Sequence, residues 1–416
     1  MQNAAETQIL DAQTILGSSS CTEDFLSDSE DTSNSGNFDS TEPSKDSGTD
    51  TSEKGSDTPP VIAPQESVAD LIMVGDILMH DRVLNSGKTS DGYSFGHLFE
   101  NVSEYTKNAD IAMLNQEVII AGEEYGISGY PRFNAPLSLA DAIASAGFDV
   151  ALHATNHTLD KGKDAMLHCL EYWKTSHPQI SVVGMHDSES DASKITVIEK
   201  NGIRIAMLNY TYGVNPAGKA ALSSSPYLVD VLDEKKITAD CAKADAIADI
   251  IVVSVHWGEE YTHTPSDSQR KWAKLFLDCG VDLVLGTHPH VMQPIEWMED
   301  DKGNKMLVYW SLGNFVNCTA ESGKGKGDRM IGAIAAVEFA KIDGTSYIKT
   351  ASAIPVITHV EDGFEGITVY RFDDYSKEMF EKSDITRIDP TVTYEYCKDS
   401  FDSLLGTFLT RGDPFG

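Results

Sequence analysis

Short apolar runs recur along the chain, and each stops abruptly at polar residues. Asp70-Leu71-Ile72-Met73-Val74 stops at Gly75-Asp76, Ala109-Asp110-Ile111-Ala112-Met113-Leu114 at Asn115-Gln116-Glu117, and Phe148-Asp149-Val150-Ala151-Leu152-His153 at Ala154-Thr155-Asn156-His157. The pattern returns at 249–255 before His256-Trp257-Gly258-Glu259, at 281–285 before Gly286-Thr287-His288-Pro289-His290, and at 305–310 before Ser311-Leu312-Gly313-Asn314-Phe315. Runs this short, bounded by loop residues, predict buried strands.

Between them the spacing changes. Residues 137–146 read as a helix closed by Gly147, and 266–279 as one closed by Gly280, with Ser266 or Asp267 as its cap. Asp160 to about Lys174 reads as a third. Residues 193–199 and 203–208 flank Asn201-Gly202 and predict a hairpin, and 332–360 alternates like further strands. Strands alternating with helices predict an α/β fold, in which ligands bind at the carboxyl edge of the sheet.

Composition divides the chain. Residues 1–66 hold 14 Asp/Glu against 2 Lys/Arg, while the remaining 350 residues hold 51 against 30. The first stretch is too polar to offset its chain entropy. The expected organisation is therefore a disordered acidic Ser/Thr/Asp-rich linker over 1–66 and a folded domain over 67–375. Residues 376–416 are expected to be an extension that packs on that domain or is partly disordered. A net charge of −33 repels phosphate backbones, which argues against a nucleic-acid partner. No run of about 18 apolar residues is present to span a bilayer, and the start shows neither the basic nor the apolar region of a signal peptide. The six cysteines form no Cys-x-x-Cys pair and read as buried thiols.

The chemistry gathers at the strand ends. Asp76, Glu117, Asn156, His157, His256, His288, His290 and Asn314 all fall just past an apolar run. If those ends share one edge, separate loops bring carboxylates, amides and imidazoles to one point. That donor set suits Mn, Zn or Fe. Two such ions about 3.5–4 Å apart clamp a phosphoryl-type group and acidify a bridging water. Each motif alone is weak, because a Gly-Asp after a strand is usually a turn and a lone His is usually core. His-x-His is stronger, since alternate residues of an extended loop can face one point.

Taken in order, these motifs resemble the CapA-type poly-γ-glutamate capsule biosynthesis family, which is similar to calcineurin-like metallophosphoesterases. The match runs from about residue 69 to 320. The resemblance implies a four-layer α-β-β-α sandwich of the metallophosphoesterase type and divalent metal ions, two in number. It implies an extracytoplasmic protein of a bacterial envelope, membrane-tethered through a segment absent from this sequence. Carried over residue by residue, Asp76 and His290 serve the first metal, Glu117 bridges, and Asn156, His256 and His288 serve the second. His157 protonates a leaving oxygen. Two features depart from the phosphoesterase pattern: Asp76 is followed by Ile77-Leu78 rather than x-His, with His80 two residues further on, and Glu117 replaces the bridging Asp. Both bear on whether one ion or two is bound.

Other candidates carry open alternatives. Asp160 either orients His157 or caps the following helix. Glu259, with Glu260 and Tyr261, either lines the site, supports a ligand imidazole or is a solvated loop. Asn115, Glu259, Asn314 and Arg329 are the candidates for substrate contact; Arg329 closes a Gly/Lys-rich, mobile basic loop and suits bidentate binding of an anion. His153 is either a support for Asn156-His157 or core. Arg411-Gly412-Asp413 is a chance match. Two functions follow. One is a metal-dependent hydrolase or transferase acting on an anionic polymer such as poly-γ-glutamate, or on a phosphoester. The other is a non-catalytic polymer-binding subunit of a membrane-bound synthase complex. A general phosphodiesterase is a third.

Overall fold

The computed structural model describes residues 7–10, 66–361, 363–410 and 414–415. The described residues belong to one compact unit, and the expected linker lies almost wholly outside them, as do Cys21 and 411–413. In chain order the unit runs β1 (Thr7–Leu10), β2 (Ser67–Ile77), α1 (Asp81–Ser86), the hairpin β3 (Lys88–Thr89) and β4 (Gly92–Tyr93), α2 (Ser103–Asn108), β5 (Ile111–Asn115), α3 (Ser138–Ala146), β6 (Val150–Leu152), α4 (Gly162–Ser176) and β7 (Ser181–Val183). It continues with α5 (Glu189–Ala192), β8 (Ile195–Lys200), β9 (Ile203–Thr211), α6 (Lys219–Ser224), α7 (Glu234–Ile247), β10 (Ile250–His256), α8 (Asp267–Asp278), β11 (Leu283–Thr287), β12 (Ile295–Glu299), β13 (Lys305–Tyr309) and β14 (Asn314–Val316). The long strands β15 (Ile331–Ile342) and β16 (Thr345–Glu361) follow, then β17 (Gly366–Arg371) and helices α9 (Lys377–Lys382), α10 (Ile385–Ile388) and α11 (Tyr394–Leu405).

The α/β expectation holds. One sheet has the order β1-β8-β9-β10-β11-β13-β12 and the other β17-β16-β15-β2-β5-β6-β7, with β14 beside β2. The six apolar runs are β2, β5, β6, β10, β11 and β13. In the first sheet β9, β10, β11 and β13 are parallel; in the second, β14, β2, β5, β6 and β7 are. Parallel pairing puts consecutive carboxyl ends at one edge, which is why the loops after these strands can meet.

Alternation along β10 shows how the sheets are covered. Ile250 and Val252 join the large core that also holds Leu71, Met73 and Met113 of the second sheet. Ile251, Val253 and Val255 point into a separate core, with Ile237 and Cys241 of α7 and Ala273, Phe276 and Leu277 of α8. One face of the first sheet thus packs on its partner sheet and the other on helices, the period-2 pattern of a twice-covered strand. Truncating Phe276 to Ala would open a cavity at a cost of about 3–5 kcal/mol.

Local signals act as read. Ser266 and Gln269 form a reciprocal capping box on α8, and Gly147 ends α3 in the left-handed region at φ 93°. Asn201 and Gly202 take φ 52° and 79°, the two positive values that a tight hairpin turn requires. The segment after 375 forms α9, α10 and α11, which bury Phe380, Ile385, Ile388, Phe401 and Leu405 in the large core. One glycine bears directly on the site: a Cβ at Gly75 would stand 2.0 Å from the Gly313 carbonyl oxygen. Only glycine lets β2 and the 311–314 loop approach so closely, and Asp76 N–H donates to that same oxygen at 3.0 Å.

Candidate metal centre

Asp76 and His256 end β2 and β10, Asn115 ends β5, Glu117 follows it, Asn156 and His157 follow β6, and His288 and His290 follow β11. All are buried, and their polar atoms meet. Glu117 Oε1 lies 3.6 Å from His290 Nε2 and 3.8 Å from both His256 Nε2 and His157 Nε2. Asp76 Oδ2 lies 3.3 Å from His290 Nδ1 and accepts from the backbone N–H of His288 at 3.1 Å. His256 Nε2 is 2.9 Å from Asn156 Oδ1 and 3.2 Å from His288 Nδ1. Three overlapping groups have ligand atoms close enough to share a cation: Asp76, Glu117 and His290; Glu117, His256 and His288; and Glu260, His288 and His290.

The backbone is bent to make this possible. His288 and His290 sit at φ 94° and 58°, where residues with a Cβ are rare. Each such position costs about 1–3 kcal/mol and persists where surrounding contacts enforce it. Asn314 is one of those contacts: its Oδ1 is 3.0 Å from His290 Nδ1, and its Nδ2 donates to the carbonyls of His290 and Arg329 at 3.2 and 2.8 Å.

The electrostatics are those of a site built for added positive charge. Both carboxylate oxygens of Glu117 are buried without a hydrogen-bond partner. Burial pushes its carboxyl well above the usual range, opposed by His290 and reinforced by Asp76. Burial disfavours charge on His290 too, but Glu117 and Asp76 push its pKa up to about 9. Burial and the neighbouring imidazoles hold His256 and His288 well below the ordinary value, so they are neutral and have lone pairs to offer. An orphaned buried carboxylate amid neutral imidazoles, an aspartate and an amide oxygen fits a divalent cation.

Asp160 orients His157 rather than capping α4: its Oδ2 is 2.6 Å from His157 Nδ1, and Lys161 stands at the cap position. The same carboxylate accepts from Phe133 N–H at 2.9 Å, and Phe133 packs edge-on against the His157 ring. Of the substrate-contact candidates, Asn115 is turned inward, donating to Asp76 Oδ1 at 2.6 Å, and Asn314 holds His290. Glu259 is exposed and does not line the cleft; Glu260 does. Arg329 is buried, not part of an exposed loop: the Asp389 carboxylate accepts from the Lys326 and Gly327 N–H groups and anchors the segment. His80 joins none of the three groups and lines the cleft beside Phe133, where burial lowers its pKa to about 4. His153 accepts from Trp173 Nε1 at 3.0 Å within the core.

Sequence reasoning missed Asn215, Thr287 and Tyr212. Asn215 Nδ2 lies 3.0 Å from His157 Nδ1 and 3.4 Å from Asp160 Oδ1. Thr287 Oγ1 is 3.1 Å from His256 Nδ1, and the Tyr212 ring packs 4.7 Å from His288. A cleft of about 260 Å³ opens over the cluster, lined among others by His157, His290, Glu260, Tyr261 and Arg329.

Fold and site together define an α/β protein of two facing sheets, with a cation-fitting cluster where parallel strands end. A family model described as bacterial capsule synthesis protein PGA_cap matches residues 70–319, and the chain belongs to that family. It is 31% identical over 253 residues to the capsule biosynthesis protein CapA of Bacillus anthracis, covering 59% of each chain. It is 31% identical over 268 residues to the PGA biosynthesis protein CapA of Bacillus subtilis, covering 62% of this chain and 66% of that one. The matches thus span less than two thirds of these relatives. Among solved structures it is similar to the calcineurin-like phosphoesterase YfkN of Bacillus subtilis, at 13% identity and TM-score 0.44 over 82% of this chain and 97% of that one. A phosphatase of Mycoplasma pneumoniae shares 14% identity at TM-score 0.43, over 70% of this chain and 95% of that one.

Proposed function

We propose that this protein acts in poly-γ-glutamate capsule synthesis, export or anchoring, through a metal-dependent hydrolase or transferase site that takes an anionic polymer or a phosphoester. The observation that carries the reading is Glu117, whose two carboxylate oxygens are buried and unpartnered beside three imidazoles. Asp76, Glu117 and His290 would hold one ion, and Glu117, Asn156, His256 and His288 another. Bound there, such ions supply Lewis-acid polarisation and lower the pKa of water.

The chain's own groups do the rest. Asp160 fixes the Nδ1 side of His157, so Nε2 faces Glu117 and can pass a proton to a leaving oxygen. Asn215, which follows β9, steadies that carboxylate by donating from Nδ2 to Asp160 Oδ1 at 3.4 Å. Phe133 packs edge-on against the His157 ring and walls it on one side. Arg329 offers a buried cation on the cleft wall for the anionic part of the substrate.

The reading places the protein outside the cytoplasm, in contact with a membrane-bound synthase complex. Among the described residues no helix is long and apolar enough to cross a membrane. Elemental analysis of the purified protein, together with turnover of a chromogenic phosphodiester and of γ-glutamyl oligomers, tests the reading. Stoichiometric metal is expected, with turnover lost in His157→Ala while the metal stays bound. A metal-free protein that still binds polymer would leave it a non-catalytic subunit.

A further inference from the structure

Among the described residues Arg329 is the one arginine lining the cleft, and its surroundings are unusual for a structural ion pair. Its side chain is 8% exposed, and its Cζ stands over the Tyr261 ring, 3.5 Å from the centroid. Its Nε is buried with no hydrogen-bond partner. A guanidinium binds a carboxylate best through two parallel N–H bonds, and here the fork is half used. The bond it does make, from Nη1 to Glu321 Oε2 at 3.1 Å, goes to a side chain that is 59% exposed. Lys326 Nζ reaches the same oxygen at 2.5 Å. A carboxylate this exposed is screened by water on its open side and is held the less firmly for it.

A buried, desolvated cation thus has as its anion a surface carboxylate that uses one oxygen and leaves a donor empty. Glu321 lines the same cleft as His157 and His290. Its backbone is held within reach because Arg82 donates to the Thr319 and Ala320 carbonyls at 2.8 and 3.5 Å.

We propose that Arg329 and Lys326 form a carboxylate subsite of the cleft, and that Glu321 occupies it as a stand-in until a carboxylate-bearing chain displaces it. The occupant already present is a carboxylate, and a γ-linked glutamate chain offers one free α-carboxylate per residue, its γ-carboxyls being held in the chain amides. An incoming carboxylate takes Nη1 and Nη2 of Arg329 end-on, where Glu321 uses Nη1 alone, and the exchange releases Glu321 to water. The subsite rests on the functional reading only in that it opens on the same cleft; it binds whether or not the cluster turns substrate over.

The test is binding, measured by calorimetry on the full chain with short poly-γ-glutamate oligomers, and with inorganic phosphate as a second probe. Glu321→Gln removes the competitor and is expected to tighten oligomer binding by about five- to tenfold. Arg329→Met is expected to weaken it by about tenfold or more, and Arg329→Lys to restore only part, since a point charge lacks the fork. Thermal melts matched to the parent keep folding out of the comparison. Equal affinity in the parent and Glu321→Gln, absence of oligomer binding in both, or phosphate binding as tightly as an oligomer each overturns the assignment. Tightened binding without turnover supports the subsite and removes the catalytic reading instead.

Discussion

Two cavities of about 260 Å³ each hold buried histidine and aspartate, and they solve opposite problems. In the cleft at the strand ends, Glu117 has no hydrogen-bond partner, His288 and His290 hold strained backbone, and Arg329 has an idle donor. In the other cavity, between β7 and the β8–β9 hairpin, every charge is answered. His186 Nε2 is 2.9 Å from Asp230, and Lys236 bonds Asp230 and Asp240 at 3.1 and 2.8 Å. Tyr210 donates to Asp240 at 3.1 Å. Volume and residue types do not separate the two regions; satisfaction does. A polar cluster whose members complete one another stabilises the fold, whereas one left incomplete and strained is completed by something from outside.

The sharpest way to break the comparison is to neutralise the orphan. Glu117→Gln should lower metal affinity and turnover by on the order of a hundredfold or more, since changes to groups that only support metal ligands already cost about 10–100-fold. The stability change should run the other way in chelated protein, where a neutral amide replaces a buried carboxylate. A chelator should lower the melting temperature of the parent and leave that of the variant nearly unchanged. A variant that keeps its metal would place the cation elsewhere.

The matching change in the second cavity should do the reverse. Asp230→Asn leaves Lys236 and His186 facing a neutral amide in a buried setting, at a cost of about 3 kcal/mol by denaturant unfolding. Metal content and turnover should stay as they were. A drop in either would mean that the two regions are coupled through β9 and the 211–215 segment.

A smaller effect sharpens the catalytic side alone. Asp160→Asn keeps the shape but loses the carboxylate that orients His157. Turnover should fall by about 10–100-fold with metal content intact, and Asn215→Ala should lower it less, because Asn215 only supports the Asp160 carboxylate, donating to its Oδ1 at 3.4 Å. Steady-state rates beside elemental analysis read this directly.

These contrasts also mark what could be read without coordinates. Strand ends were legible because buried parallel strands are uninterrupted apolar runs, so Asp76, Glu117, Asn156, His256 and His288 announce themselves by position. Asn215 was not, because reading 193–208 as a hairpin hid the parallel pairing of β9 with β10, which brings residues after Thr211 to the same edge. Glu259 and Glu260 differ by one step of a loop with no period, and only the fold chooses Glu260. Gly323–Gly327 looks like a free basic loop, yet Asp389, 62 residues beyond Gly327, accepts from its backbone and buries Arg329. The positive φ of His288 and His290 has no sequence signature at all, since it is imposed by Asp76 and Asn314 from other strands.

The smallest expected effect is the share of the pH dependence that the second cavity contributes, measured on chelated protein by comparison with a His186 variant because His290 titrates in the same alkaline range. Burial acts to lower the pKa of His186, but Asp230 and Asp191 outweigh it and hold the value at about 9, above the ordinary 6.5. A raised folded value means that the charged imidazole stabilises the fold fully below about 6.5 and that this contribution is lost as pH climbs through 9. Asp191 works in the opposite sense: its bond to His186 holds it below the ordinary 3.8, so its contribution is present above that value and fades in stronger acid. The His186 contribution, read as the difference in thermal stability between the parent and His186→Gln, should therefore be level between about pH 4 and 6.5 and decline toward pH 9. His186→Gln should flatten the alkaline limb while leaving metal content alone. An unchanged limb in that variant would assign the decline to other groups and remove the claim that this cluster is held together by its own charges.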